Sequence, residues 1–421
     1  MNNTYNEKIM YKTLSNGLHV ILVNKKGYTK SHALFMTPFG AMKNKLVSEN
    51  GDVLTFKSGL AHFLEHKMFE ADNGGDVMDE FSKIGVSANA YTSYNETCYY
   101  FTTSYDIEKP LNILLDFVQE LTITEESVEK EKGIIVQELR MYKQMADMRF
   151  VQEIFASMYE EHPLKDDVGG DEDSVNSVTV DDLYDCYRIN YHPQNMTLVI
   201  VSGEDSEKIL KIIEGNQDLK NFPDVVKVSD YDYKEPTTVK REHYEFKMDI
   251  NQKRYGIGYK LNGIVDPKVR FKKDISLKML MEMYFSSSNT LVQEWLDERI
   301  INDSFVYDSE YGRDYGFIIF ASETDKEDVL KDKLDKAINE LINGELDEAV
   351  FESIKRRLIG SNIRLMNRFE DFAMALAKAR NIGVDFFESI ELLKDISLND
   401  LEEVRKDIDL SNVCDVILSE L

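Results

Sequence analysis

The feature that most constrains this chain is a repetition of pattern at a spacing of about 220 residues, because a chain that repeats a supersecondary unit must fold as related halves. Thr124-Glu125-Glu126-Ser127-Val128-Glu129-Lys130 opens a long helical pattern, and Leu346-Asp347-Glu348-Ala349-Val350-Phe351 opens another. Both start acidic, as helix N-termini prefer. Ser177-Val178-Thr179-Val180-Asp181-Asp182-Leu183 leads into a helix and then a strand, Met196 to Val201. Its counterpart is Ile396-Ser397-Leu398-Asn399-Asp400-Leu401, followed by a strand from Val413 to Leu418. A chain of 421 residues also exceeds what one hydrophobic core usually organises. The expected division is an N-terminal domain over residues 1–220, a linker over 221–240 and a related C-terminal domain over 241–421. The join lies in the polar stretch from Gly215 to Glu242, which carries Pro223 and Pro236.

Within the first half, Gly17 to Val23 and Ser31 to Met36 read as buried strands, and a helix runs from about Gly59 to Glu70. Asp76 to Ile84 reads as a second helix, Ala88 to Thr103 as two strands joined by a turn at Tyr94-Asn95, and Ile107 to Leu121 as another helix. The expected fold class is therefore α+β: two related domains, each a mostly antiparallel sheet with helices packed on one face.

The composition, 43% hydrophobic and 30% charged, is that of a globular protein. A formal charge of −27 with no dense Lys/Arg tract disfavours nucleic acid and anionic membranes as partners. Met1-Asn2-Asn3-Thr4-Tyr5-Asn6-Glu7 lacks a basic segment followed by an apolar core, and no run of ~18 apolar residues follows. Cys98, Cys186 and Cys414 are widely spaced and outside any CxxC pattern, so they read as reduced core thiols of a cytoplasmic protein.

His62-Phe63-Leu64-Glu65-His66 has the order H-x-x-E-H, the reverse of the H-E-x-x-H of ordinary zinc peptidases. On a helix, positions 62, 65 and 66 share one face. Two imidazoles four apart can chelate one cation while the carboxylate between them serves as a base, the division of labour that metal-assisted hydrolysis needs. A catalytic zinc takes three protein ligands, so a third must come from elsewhere. Glu131 and Glu138, two turns apart on one helical face, both qualify, and the residues alone do not choose between them. His19, His32, His162, His192 and His243 stand isolated and read as packing or turn residues.

Residues 57–104 and 124–203 resemble the pitrilysin/insulinase family of zinc peptidases. Gly59 to His66 resembles its metal-binding helix, and Ser87-Ala88-Asn89-Ala90-Tyr91-Thr92-Ser93 its substrate-binding edge strand. His66 to Glu70, Glu129 to Ile135 and Tyr191 to Met196 are similar to a bacterial YmfH-type branch. The resemblance implies zinc held by His62, His66 and Glu138, with Glu131 behind a histidine and Glu65 as catalytic base. It further implies an extended peptide or unfolded segment adding to the edge at Asn89, Ala90, Tyr91 and Thr92.

Active members of that family bring an Arg and a Tyr from a C-terminal domain to the zinc site. In Leu291 to Phe305, Leu296 and Asp303 stand where the resemblance calls for that pair, and Arg299 and Tyr307 are out of register. The expectation is a metal-bearing subunit of a composite peptidase whose related partner chain supplies the Arg and Tyr. A homodimer, each half docking on its copy, is the other assembly left open, although it would still lack the pair. The alternative is a catalytically silent scaffold or binding subunit that keeps the fold and the metal site.

Overall fold

The computed structural model describes residues 5–70 and 75–421; Met1 to Thr4, part of the stretch read for an export signal, lie outside the described residues. No helix among the described residues is long and apolar enough to cross a membrane.

The chain forms two compact units, each built on a sheet. The first sheet runs in the order Lys8–Thr13, His19–Asn24, Thr197–Ser202, Ser31–Thr37, Thr97–Thr103, Ser87–Thr92. All pairs are antiparallel except His19–Asn24 with Thr197–Ser202, which are parallel. The second sheet repeats the pattern without a counterpart of Lys8–Thr13: His243–Met248, Val413–Glu420, Arg254–Leu261, Gly316–Glu323, Val306–Tyr311, with His243–Met248 and Val413–Glu420 parallel and the other pairs antiparallel. The repeat seen in sequence is therefore a repeat of topology. It reaches local chemistry too, since Thr179 with Asp182 and Ser397 with Asp400 form matching capping boxes at the starts of helices Val180–Asn190 and Leu398–Arg405.

The units are not two contiguous lengths of chain. The first comprises residues up to Arg140, Asp167–Tyr231 and Ile363–Asn381; the second comprises Met141–Asp166, Asp232–Asn362 and Ile382–Leu421. A single cut at 221–240 coincides with only one of these crossings. Each half lends one helix to the other unit. Ala146–Met158 covers the second sheet on the face opposite its main core, over Gly256 and Gly258, where an added Cβ would lie 2.6 Å from Ile154 Cδ1 and 3.0 Å from Met158 Sδ respectively. Phe369–Ile382 covers the corresponding face of the first sheet, with Asn381 on Met36 Sδ and Phe372 beneath the Lys25 ammonium. The remaining helices pack on the other face, and strands Ser31–Thr37 and Thr197–Ser202 are consequently buried along their whole length. Burial on both faces gives unbroken apolar runs instead of alternation.

The second unit also holds a buried ion pair. Lys260 Nζ lies 2.6 Å from Glu235 Oε1 and donates to the Met158 and Thr238 carbonyls, while Glu235 accepts from the backbone N–H groups of Glu160, Glu161 and His162.

Candidate metal centre and the adjoining edge strand

The helix Leu60–Met68 starts without a side-chain cap, at Gly59, whose φ of 79° is left-handed. What fixes this start is a close approach of backbones: a Cβ on Gly59 would sit 2.1 Å from the Gly169 carbonyl oxygen. Gly170, itself at φ +80°, would clash with Ser58 in the same way. The Gly169-Gly170 turn thus wedges between this helix and Glu125–Gln144, since a Cβ on Gly169 would meet Leu139 at 2.7 Å and His62 Nδ1 at 3.5 Å. Leu60, Phe63, Leu64 and Met68 enter the first core, leaving His62, Glu65 and His66 on the less buried face.

On Glu125–Gln144, Val128, Ile135 and Leu139 are buried, and Glu131 and Glu138 flank that stripe. Helical spacing carries both carboxylates to the two histidines. His66 Nε2 lies 3.4 Å and His62 Nε2 3.9 Å from Glu138 Oε2. One ligand atom from each of His62, His66 and Glu138 falls within 4.8 Å of the others, which makes these three a group able to hold a metal ion. Ligands about 2.0–2.2 Å from a tetrahedral zinc stand about 3.3–3.6 Å apart, so the donor set fits such an ion with small closing movements.

Glu131 takes a different place. Its Oε1 is 3.0 Å from His66 Nδ1. An ionised carboxylate can only accept, so Nδ1 carries the proton and Nε2 presents its lone pair towards Glu138. That bond to His66 holds the Glu131 carboxyl below its ordinary range. Burial works to lower the His66 pKa, but the Glu131 hydrogen bond and the charges of Glu131, Glu138 and Glu65 outweigh it and the net shift is upward. Burial, then the neighbouring His66, pushes His62 down to about 4, which keeps that imidazole neutral and able to ligate. Its Nδ1 is buried with no hydrogen-bond partner among the described residues.

Glu65 projects beside this group, and Thr92 Oγ1 donates to its Oε2 at 2.5 Å. Burial raises the Glu65 carboxyl above its usual range; the Thr92 hydrogen bond opposes the rise. A carboxylate with a raised pKa can take a proton from water and give it back near neutral pH.

Thr92 ends the edge strand Ser87–Thr92. Ser93 N–H donates to the Glu96 carbonyl, so the hydrogen-bonded pairs with Thr97–Thr103 fall at 93, 91 and 89. The backbone groups of Ala88, Ala90 and Thr92 therefore face the open edge. Asn89 Oδ1 accepts from the Ala90 N–H at 2.9 Å, occupying one of those edge donors. Tyr91 turns to the opposite face, its hydroxyl 3.1 Å from Met374 Sδ and 3.4 Å from Glu96 Oε1. Of the four edge residues expected to meet substrate, Ala90 and Thr92 have side chains on the Glu65 side, whereas Tyr91 braces the strand from behind. The sequence reading missed the glycine wedge, although Gly169-Gly170 is a turn signal, and the buried Lys67, whose ammonium reaches Glu70 and lies 3.9 Å from Glu131 Oε2. His162 and His192 each cap a 3-10 turn at a His-Pro step through Nδ1.

The sequence profile described as Insulinase (Peptidase family M16) matches residues 55–172, and that described as Peptidase M16 inactive domain matches residues 177–358. The uncharacterized zinc protease YmfH of Bacillus subtilis is 34% identical over 419 residues, 98% of this chain and 97% of that protein. Among solved structures, an M16-like peptidase from Alicyclobacillus acidocaldarius superposes with a TM-score of 0.94 at 28% identity, covering 100% of both chains. The periplasmic protease PqqL of Escherichia coli has the same fold at a TM-score of 0.75 and 19% identity; the match covers 100% of this chain but 48% of that one.

Proposed function

The chain belongs to the insulinase family (peptidase family M16), and from that premise we propose that it is a zinc metalloendopeptidase cleaving peptides or unfolded segments, acting as the metal-bearing subunit of a composite enzyme in peptide or protein processing. The observation that carries the reading is the convergence of His62, His66 and Glu138 within 4.8 Å, with the Glu65 carboxylate beside them.

In this reading His62, His66 and Glu138 hold the ion, and Glu131 keeps His66 in the tautomer and orientation that ligation needs. A zinc ion held there would supply Lewis acidity towards a carbonyl and a bound water. Glu65 accepts the proton of the attacking water and returns it to the leaving amine, while Thr92 fixes the carboxylate's position. An extended peptide pairs with the open-edge groups of Ala88, Ala90 and Thr92, so main-chain hydrogen bonds give affinity with tolerance of side chains. Asn89 would hold substrate backbone in exchange for its bond to the Ala90 N–H.

The composite part rests on Leu296 and Asp303, which stand where an oxyanion-stabilising Arg and Tyr are called for; Leu296 packs against the second core and Asp303 is exposed. A related partner chain supplies that pair. Such an arrangement is in keeping with PqqL, a chain about twice as long as its match to this one. A cytoplasmic setting accords with Cys98, Cys186 and Cys414, all free and buried. The scaffold alternative draws on the inactive-domain description, but that match covers residues 177–358, outside His62, Glu65, His66 and Glu138.

The test is zinc-loaded chain assayed on an unfolded peptide, alone and with any related chain that copurifies from native lysate. Hydrolysis that appears or rises with the partner, and falls at least ~100-fold in Glu65→Gln, is the expected result. Full activity of the isolated chain refutes the composite role. Equal activity of Glu65→Gln and wild type refutes the peptidase assignment.

A further inference from the structure

The outer part of the second sheet is covered on one face only. Along Val413–Glu420, Cys414, Val416 and Leu418 are fully buried, whereas Val413, Asp415 and Ile417 on the other face are partly exposed. Register sets His243 and Glu245 beside Asp415 and Ile417 on one side, and Tyr255, Ile257 and Tyr259 on the other. Together with the ridge Asp328, Lys331, Asp335 and Asn339 of helix Glu327–Asn343, these residues line an open groove of about 910 Å³.

The repeated topology shows what such a seat is shaped to hold. In the first unit the corresponding space, between helix Glu108–Val118 and strand His19–Asn24, is filled by helix Ser206–Gln217. Ile209, Leu210 and Ile213 enter the core there, and Asn216 Nδ2 donates to Asn112 and Asp116 at 3.0 and 2.9 Å. The groove of the second unit has an apolar floor and an acidic rim. Glu245, Asp328, Asp335 and Asp415 outnumber Lys331 and His243, which both lie near Asp415, at 3.7 and 3.2 Å. Asp335 is partly buried and has no ion-pair partner among the described residues. Tyr255, only 2% exposed, lines the groove with a hydroxyl that has no hydrogen-bond partner among the described residues. A buried hydroxyl without a partner, and a half-buried carboxylate whose favourable charge is only Lys331 one turn back on the same helix, leave interactions for a ligand to complete.

We propose that this groove receives a lysine- or arginine-bearing amphipathic helix of a partner protein, its apolar side on Ile257 and Ile417 and its cations against Asp328 and Asp335. Charge complementarity selects a basic segment, and the filled seat of the first unit argues for a helix of about three turns. The proposal does not depend on the metal centre.

The probe is a synthetic peptide of Ser206–Gln217 carrying Glu207→Lys and Glu214→Lys, with a scrambled peptide of the same charge as control, titrated into the full-length chain by fluorescence anisotropy. The expected result is saturable binding of the patterned peptide, at least ~10-fold weaker in Asp328→Asn/Asp335→Asn and weaker in 0.5 M than in 0.05 M salt. Tyr255→Phe weakens it severalfold, and far-ultraviolet circular dichroism verifies that each variant is folded. Equal binding of scrambled and patterned peptides, or undiminished binding by the double variant, overturns the proposal. So does a chain that dimerises through this groove and ignores the peptide, which light scattering on the double variant detects.

Discussion

Replacing Glu131 tells the metal-supporting role proposed for that carboxylate from a merely structural one. Its Oε1 lies 3.0 Å from His66 Nδ1, and its other oxygen is 3.9 Å from the Lys67 ammonium. Glu131→Gln keeps an accepting oxygen but removes the charge that makes His66 a better donor to a metal; Glu131→Ala removes both. Loss of such an outer partner typically costs 10–100-fold in metal affinity, about 1.4–2.7 kcal/mol. We expect a zinc Kd about 10-fold weaker for Glu131→Gln and about 100-fold weaker for Glu131→Ala, read by competition with a chromophoric chelator. Lys67 retains Glu70 and the Ser127 carbonyl, so the metal-free protein loses only about 1 kcal/mol and its Tm moves by a few degrees at most. Unchanged zinc affinity in both variants rules out a metal-supporting role for Glu131. A metal-free variant that no longer folds refutes it differently, by making the carboxylate structural.

Gly59→Ala adds a Cβ 2.1 Å from the Gly169 carbonyl at a left-handed φ that costs about 1–2 kcal/mol by itself, so thermal unfolding shifts down by several degrees and zinc affinity falls with it. Thr92→Val leaves zinc content unchanged and lowers kcat about 10-fold; because the Thr92 hydrogen bond opposes the rise in the Glu65 pKa, its removal moves the acidic limb of the rate profile to higher pH. Lys260→Met leaves Glu235 buried without its counter-charge and destabilises the chain by about 3–5 kcal/mol in denaturant titrations, without altering zinc stoichiometry.

Legibility in the sequence follows from what is local. The helix with His62, Glu65 and His66 and the hairpin Ser87–Thr103 depend on periodicity and short-range chemistry, and their spans agree with the reading to within a few residues. The exchange of helices between units is not local. Ala146–Met158 carries an ordinary amphipathic pattern, and nothing in its own residues says which sheet it covers; the trace is in the partner strand, where Gly256 and Gly258 leave room for it. The same holds for Glu131 and Glu138. Two turns apart on one face they are equivalent by spacing, and only their distances to Nδ1 and Nε2 of the histidines distinguish them. The side chain of Asn89 on the Ala90 N–H and the rearward Tyr91 depend on the hydrogen-bond phase of the edge strand, which a one-residue change in the turn would invert.

The proposed function stands on a zinc site made by His62, His66 and Glu138 with Glu65 outside the ligand set. Metal content per chain by mass spectrometry, after dialysis against a weak chelator, tests it directly across wild type, His62→Ala, His66→Ala, Glu138→Gln and Glu65→Gln. One zinc is expected in wild type and in Glu65→Gln, none in either histidine variant, and a reduced content in Glu138→Gln. Zinc retained by His62→Ala and His66→Ala, or lost from Glu65→Gln, would contradict it.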